Sequence, residues 1–296
     1  MISWRNYPFE DAVAVVFDFG SVSRELLASK NSVTDLRQIW DRFRIRLVSC
    51  DIEEMMRTRA PEQSEVEKLA CQWERHASHV PECTRGPIRE NARFFLAARE
   101  VIRTEKAHAA AINCHAMPNH GLRLPCTAMV QLHREGVLLA CEMDVNGMLS
   151  SMLLTHLAAR PAFMGNVIPG AEETTIDISH CVAPPDMLPR LAGYSFDDHH
   201  GKTENATVAI ELPKEGAATL ARISSDLARV HFAVGQIVGA HHMGACRNSV
   251  TVRLPDCRTF LDNKLDGHYA LVCGDVSAAL SRHKALDTVT GTSETE

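Results

Sequence analysis

The hydrophobic pattern of this chain changes character near residue 160, and that change limits the architectures open to it. Before it, short apolar runs alternate with stretches of helical composition. Strands are expected over 12–17 and 109–113, and helices over 64–77, 87–103 and 125–133. The second of these helices is rich in Ala, Arg, Glu and Leu, with Pro87 tolerated in its first turn. Alternation of this kind predicts an open, mostly parallel sheet covered by helices. Beyond Arg160-Pro161 the signals turn to strands, with alternating segments at 174–178, 207–211 and 249–253. Turns rich in Pro, Gly and Asp separate them, as in Ala183-Pro184-Pro185-Asp186. An antiparallel barrel-like domain fits this half. The expected organisation is an α/β domain over 1–160, a β-barrel-like domain over 161–285 and a flexible polar tail over 286–296, with a helix over 275–283.

Composition excludes several classes. A net charge of −6 with no basic block argues against a nucleic-acid partner. The apolar stretches are broken by polar residues well short of a membrane span. Met1-Ile2-Ser3-Trp4-Arg5-Asn6 lacks the order of a signal peptide. The ten cysteines lie scattered through apolar segments with no Cys-x-x-Cys, which suits free thiols in a reducing cytoplasm. A cytoplasmic protein is the expectation.

The stretch Cys141-Glu142-Met143-Asp144 carries the strongest chemical signal. Val137-Leu138-Leu139-Ala140 reads as a buried strand after Gly136. Asp144 is placed to cap a helix whose apolar positions Met148, Leu149, Met152, Leu153 and Leu157 follow the 3.6-residue period. Glu142 therefore falls at the carboxyl end of a strand, where open α/β sheets place their ligands. A carboxylate there is either a metal ligand or catalytic group, or a solvated acid beside a helix N-terminus.

The histidines add candidates. His180 ends an alternating strand just before Pro184-Pro185, and His268 starts an apolar strand ending at Cys273-Gly274-Asp275. His199-His200 and His241-His242 are doublets whose adjacent side chains point apart if extended. Taken singly, each reads as a surface or hydrogen-bonded core residue before a ligand. His-Glu-x-x-His, EF-hand, phosphate-loop and Gly-x-Ser-x-Gly patterns are all missing, so a metal site must be assembled from residues distant in sequence.

Taken together, these strings resemble the L-fucose isomerase-like superfamily of sugar isomerases, which includes L-arabinose isomerases. The resemblance runs through 126–132 and 136–149, then Pro161-Ala162-Phe163-Met164-Gly165-Asn166, Ser179-His180-Cys181, Gly244-Ala245-Cys246-Arg247-Asn248 and 268–275. It covers the chain from about Glu65 to His283 and matches the first 60 residues poorly. It implies an aldose–ketose isomerase acting on a monosaccharide through a cis-enediol, with Mn²⁺ or another divalent cation such as Mg²⁺, in a homo-oligomer. By position, Glu142 matches the metal-binding and catalytic Glu, and His268 the C-terminal His ligand. Asn166 falls where an Asp serves as second carboxylate ligand and acid/base, His180 offers a further ligand, and Arg247 reads either as a surface ion-pair partner or as a binder of substrate.

Three departures follow from the same comparison. Asn166 is neutral, a weaker ligand for a hard cation and no general base. Gly267-His268 supplies one imidazole where the superfamily often has a pair, and Asp144 or Asp177 is a candidate for the missing carboxylate. The chain is also expected to lack most of the superfamily's first α/β domain. These departures support an alternative, a non-catalytic carbohydrate-binding or regulatory protein descended from such an enzyme.

Overall fold

The computed structural model describes residues 4, 6–20, 36–188, 193–242, 246–283 and 288–292. Gly244 and Ala245 of the resemblance, and residues 286–287 and 293–296 of the expected tail, lie outside the described residues.

The first half forms a four-stranded parallel sheet of β1 (Val13–Asp18), β2 (Arg46–Asp51), β3 (Ala109–Ile112) and β4 (Leu138–Ala140), ordered β2-β1-β3-β4. The helices are α1 (Leu36–Phe43), α2 (Ile52–Thr58), α3 (Gln63–His76), α4 (Arg85–Glu105), α5 (Cys126–Arg134) and α6 (Val145–Ala158). β3 and β4 are short, apolar and buried throughout, as parallel strands covered on both faces are. Lys106, left-handed at φ 53°, ends α4 and turns the chain back into β3. β2 was not anticipated, because Arg46-Leu47-Val48-Ser49-Cys50-Asp51 carries too few apolar residues to read as a buried parallel strand.

The second half closes into a barrel. Its strands are β5 (Phe163–Pro169), β6 (Thr175–His180), β9 (Gly216–Ile223), β10 (Arg229–His241), β11 (Asn248–Arg253) and β12 (His268–Cys273). They run in the order β10-β11-β6-β5-β12-β9 and return to β10, with every pair antiparallel. Closure removes the unpaired edges that an open sheet would carry. A register shift between Ile237 and Gly239 bends the long β10 from one neighbour to the next.

Three expectations change. The strand expected over 207–211 belongs to β8 (Lys202–Ile210), which pairs with β7 (Tyr194–His199) in a hairpin outside the barrel. Its buried half packs on the helical layer instead, where Asn205 Oδ1 accepts from Leu124 N–H and Thr127 Oγ1 donates to Ala206 O. The expected helix over 275–283 shrinks to one turn, α8 (Ser277–Leu280), following α7 (Cys257–Asn263) in the helix order. Part of the expected flexible tail forms β13 (Thr288–Thr292), parallel to the first half of β10; its Thr- and Val-rich sequence suits a strand.

α6 joins the two halves. It is apolar around its whole circumference, and eleven of its residues from Val145 to Thr155 are buried, the condition of a helix covered on all sides. One side meets β3 and β4, the other β5, β9 and β12. Gly147 lies where α6 meets the barrel: a Cβ there would stand 2.5 Å from Met164 Sδ and 2.7 Å from Asp144 Oδ2. Gly147→Ala is expected to lower stability by about 1–3 kcal/mol through overpacking, despite the better helix propensity of Ala. A urea midpoint equal to or above that of the unsubstituted chain would refute the tight seam.

Candidate metal centre

The site is built at the carboxyl ends of β3 and β4, against the ends of two barrel strands. β4 runs out at Ala140, and Glu142 and Met143 then both adopt left-handed backbone, with φ of 60° and 53°. Two consecutive non-glycine residues there cost roughly 1–2 kcal/mol each. Met143 N–H donates to Ile112 O at 2.9 Å, Glu142 N–H to Cys114 Sγ at 3.3 Å and Asp144 N–H to Cys141 O at 3.1 Å. These bonds hold the reversal in which Glu142 faces the barrel.

Glu142 meets His180, the last residue of β6, and His268, the first of β12. Oε1 lies 3.7 Å from His180 Nε2 and Oε2 lies 4.0 Å from His268 Nε2. One ligand atom from each of the three falls within 4.8 Å of the others, a group able to hold a metal ion. The His180 and His268 side chains are 6% and 3% exposed and that of Glu142 32%, so the open side of the cluster is the carboxylate side. His115, in the loop after β3, caps that side with Nε2 at 3.2 Å from Glu142 Oε1.

Asp144 organises the barrel side. Its Oδ1 accepts from Gly147 N–H at 2.8 Å and so caps α6. Its Oδ2 takes Arg222 Nη1 at 2.5 Å and His268 Nδ1 at 3.0 Å. Arg222, on β9 and 1% exposed, also reaches Asp266 at 2.7 Å. An ionised carboxylate only accepts, so Nδ1 of His268 carries a proton, and Nε2 is the nitrogen through which the neutral ring would ligate. That Nε2 is buried without a hydrogen-bond partner and turned toward Glu142. Carboxylate–imidazole pairs of this kind orient metal-binding histidines.

The electrostatics favour the ligating form of Glu142 and His180 and the charged form of His268. Contacts with His115 and His180 hold the Glu142 carboxyl well below the usual range, against the opposing effect of burial. Burial would raise the Asp144 carboxyl, but Arg222 and His268 outweigh it and hold the group well down. Burial lowers His180, favouring the neutral, ligating imidazole. Burial opposes the charged form of His268 as well, yet Asp144 raises it overall.

Glu142, His180 and His268 are therefore brought together as a group. Asn166 stands directly opposite His268 in the β5–β12 register and opposite Ser179 in the β5–β6 register, which puts its side chain beside the imidazole. Asp144 and Asp177 are not in this group. Asp144 lies behind His268, and Asp177 accepts from Thr251 Oγ1 at 2.6 Å. Arg247 pairs with Asp198 at 2.6 Å and Asp197 at 3.3 Å, tying the loop before β11 to the β7–β8 hairpin. His115 and Arg222 were missed: a lone His after a strand and an Arg within one carry no periodic signal.

An α/β layer docked on a closed barrel, with two imidazoles and a carboxylate between them, defines a candidate metalloprotein. No protein-family model matches the chain. It is similar to a sulfoquinovose isomerase from Alkalicoccus urumqiensis, at 32% identity over 142 residues. That match covers 46% of this chain and 31% of the relative, so the chain spans about a third of the protein it matches. The likeness is to a protein named as a sugar isomerase and does not extend to the L-fucose isomerase-like superfamily as such. Among the described residues, no helix is long and apolar enough to cross a membrane.

Asp144→Asn tests the network. The folded Asp144 carboxyl lies below the ordinary aspartate value of about 3.9, so its contribution is full above that pH and is lost as pH falls through the folded value. Asp144→Asn is expected to cost about 3–5 kcal/mol at pH 7, because Arg222 stays buried with a partner removed. It should also flatten the decline of stability between pH 5 and the acid limit, about where an ordinary carboxylate begins to protonate. An unchanged acid slope in urea titrations would show that Asp144 is not the group responsible.

Proposed function

We propose that the chain is a sugar isomerase whose centre is a divalent ion held by Glu142, His180 and His268, with Asn166 beside it. The observation that carries this reading is Nε2 of His268, buried, unpartnered and turned toward Glu142 while Asp144 holds Nδ1. The similarity to a sulfoquinovose isomerase supports the substrate class, a monosaccharide in open-chain form. Two imidazoles with one carboxylate suit Mn²⁺ and its transition-metal neighbours better than Mg²⁺, which prefers oxygen ligands. When bound, such an ion polarises a carbonyl oxygen and stabilises negative charge developing on the sugar.

The chain's own residues divide the remaining work. The His180 and His268 rings fix the buried side, and Asp144 keeps the His268 proton on Nδ1. In the aldose-to-ketose direction a proton leaves C2 and returns to C1, with a cis-enediol between. Glu142 Oε1, on the solvent side and next to His115, is the atom placed to carry it. The depressed Glu142 pKa makes that carboxylate a weak base, and the His115 imidazole at 3.2 Å is within reach to share the proton. Asn166 carries no proton in this scheme and positions a sugar hydroxyl. A homo-oligomer completing the pocket belongs to the same reading.

Purified chain supplied with Mn²⁺ is expected to convert at least one member of an aldose panel, sulfoquinovose included, to its ketose. Glu142→Gln should lower turnover by about 100-fold or more and abolish Mn²⁺ binding, with little change in melting temperature in chelator. A chain that binds no metal and forms no ketose overturns the proposal. The neutral Asn166 favours one second reading, a carbohydrate-binding protein without turnover. Sugar binding by calorimetry that persists unchanged in chelator would select it. Asn166→Asp should tighten Mn²⁺ binding, because it adds an anionic oxygen beside His268. Weaker or unchanged affinity would place residue 166 away from the ion.

A further inference from the structure

A second group of ligand atoms lies apart from the Glu142 cluster and has no part in the reading above. Cys181, buried and next in sequence to His180, sets its Sγ 3.2 Å from His200 Nε2. Cys246, in the loop before β11, sets its Sγ 3.7 Å from the same nitrogen. His199 stacks on His200, with ring centroids 4.0 Å apart and planes 6° from parallel. One ligand atom from each of Cys181, His199 and His200 falls within 4.8 Å of the others.

The backbone explains how a histidine doublet comes to one side. Neighbours on an extended strand point to opposite faces, but His199 ends β7 and His200 opens the turn into β8. His200 and Gly201 have φ of 57° and 76°, the two left-handed positions of a type I′ hairpin. That turn swings His200 back over His199, and both rings then meet the loop that follows β6.

The donor chemistry is selective. A tetrahedral Zn²⁺ with Zn–S about 2.3 Å and Zn–N about 2.0 Å keeps sulfur and nitrogen about 3.5 Å apart. The 3.2 Å and 3.7 Å separations bracket that value. Two thiols and two imidazoles are the ligands of structural zinc sites, and none of the four suits a hard cation. We propose that Cys181, His200 and Cys246, completed by rotation of the His199 ring, form a second metal site that takes a borderline transition ion such as Zn²⁺. Bound there, the ion would tie the hairpin turn to the chain after β6 and the chain before β11, segments already linked by Arg247 with its aspartates and by Thr207 and Asn248, which both donate to Cys181 O.

The test uses the full chain and Zn²⁺ or Co²⁺ alone. In a Glu142→Gln background, which disables the other cluster, one equivalent of Zn²⁺ is expected to remain bound. Co²⁺ in its place should give an intense near-ultraviolet thiolate-to-cobalt charge-transfer band. Cys181→Ser and His200→Asn should each abolish the band and weaken Zn²⁺ binding at least tenfold; Asn is chosen because it tolerates the left-handed turn. X-ray absorption on the unsubstituted chain saturated with Zn²⁺ counts sulfur ligands without relying on any variant. No sulfur in that spectrum, or a cobalt band surviving both substitutions, overturns the site. So does a Cys181–Cys246 disulfide found by peptide mapping of chain purified under reducing conditions.

Discussion

The structure depends on the burial of one positive charge. Arg222 sits on a barrel strand with almost no solvent contact, where an unpaired guanidinium would be untenable. Asp144 and Asp266 neutralise it, and Asp144 lies not in the barrel but at the start of α6. The ion pair therefore fastens the parallel-sheet half to the barrel and orients what surrounds it. The same carboxylate caps α6 and fixes the tautomer of His268. Helix start, domain docking and imidazole orientation are three consequences of one buried pairing, so a change at any member is felt at the others.

This arrangement places the candidate metal centre at a junction. Glu142 comes from the α/β half, while His180 and His268 come from the barrel. None of the three is near another in the chain, and the group exists only when α6 is seated between sheet and barrel. Ion binding and docking of the halves are then thermodynamically linked, since an ion that binds the assembled site stabilises the assembly. The second thiol–imidazole group shares this character, drawing its ligands from a hairpin turn and two loops.

Much of the frame was legible in the sequence, and the reasons for the rest are local. Leu138–Ala140 announced a strand by its apolar run, Asp144 announced a cap, and His180 and His268 could be placed at strand ends. Position could not say that three such ends meet, since convergence depends on barrel closure, which no short pattern encodes. The left-handed pair at Glu142 and Met143 escaped because neither residue is Gly or Asn, the usual markers of that conformation. The convergence of His199 and His200 escaped for a related reason, since alternation holds within a strand and fails where the strand turns. β8 looked like a barrel strand because a strand buried on helices and one buried on a barrel share the same alternation.

The left-handed pair also bears on how freely this stretch can vary over evolutionary time. Drift under selection for stability alone would carry positions 142 and 143 toward glycine or asparagine, which take that backbone at least cost. Aspartate would ease the backbone at 142 and keep the charge. It is one methylene shorter, however, and would leave His180 and His268 beyond the 3.7 and 4.0 Å that glutamate already spans. At 143 a smaller residue would vacate core volume that Met143 fills at 4% exposure. The pair is thus a place where backbone ease and side-chain reach pull in opposite directions.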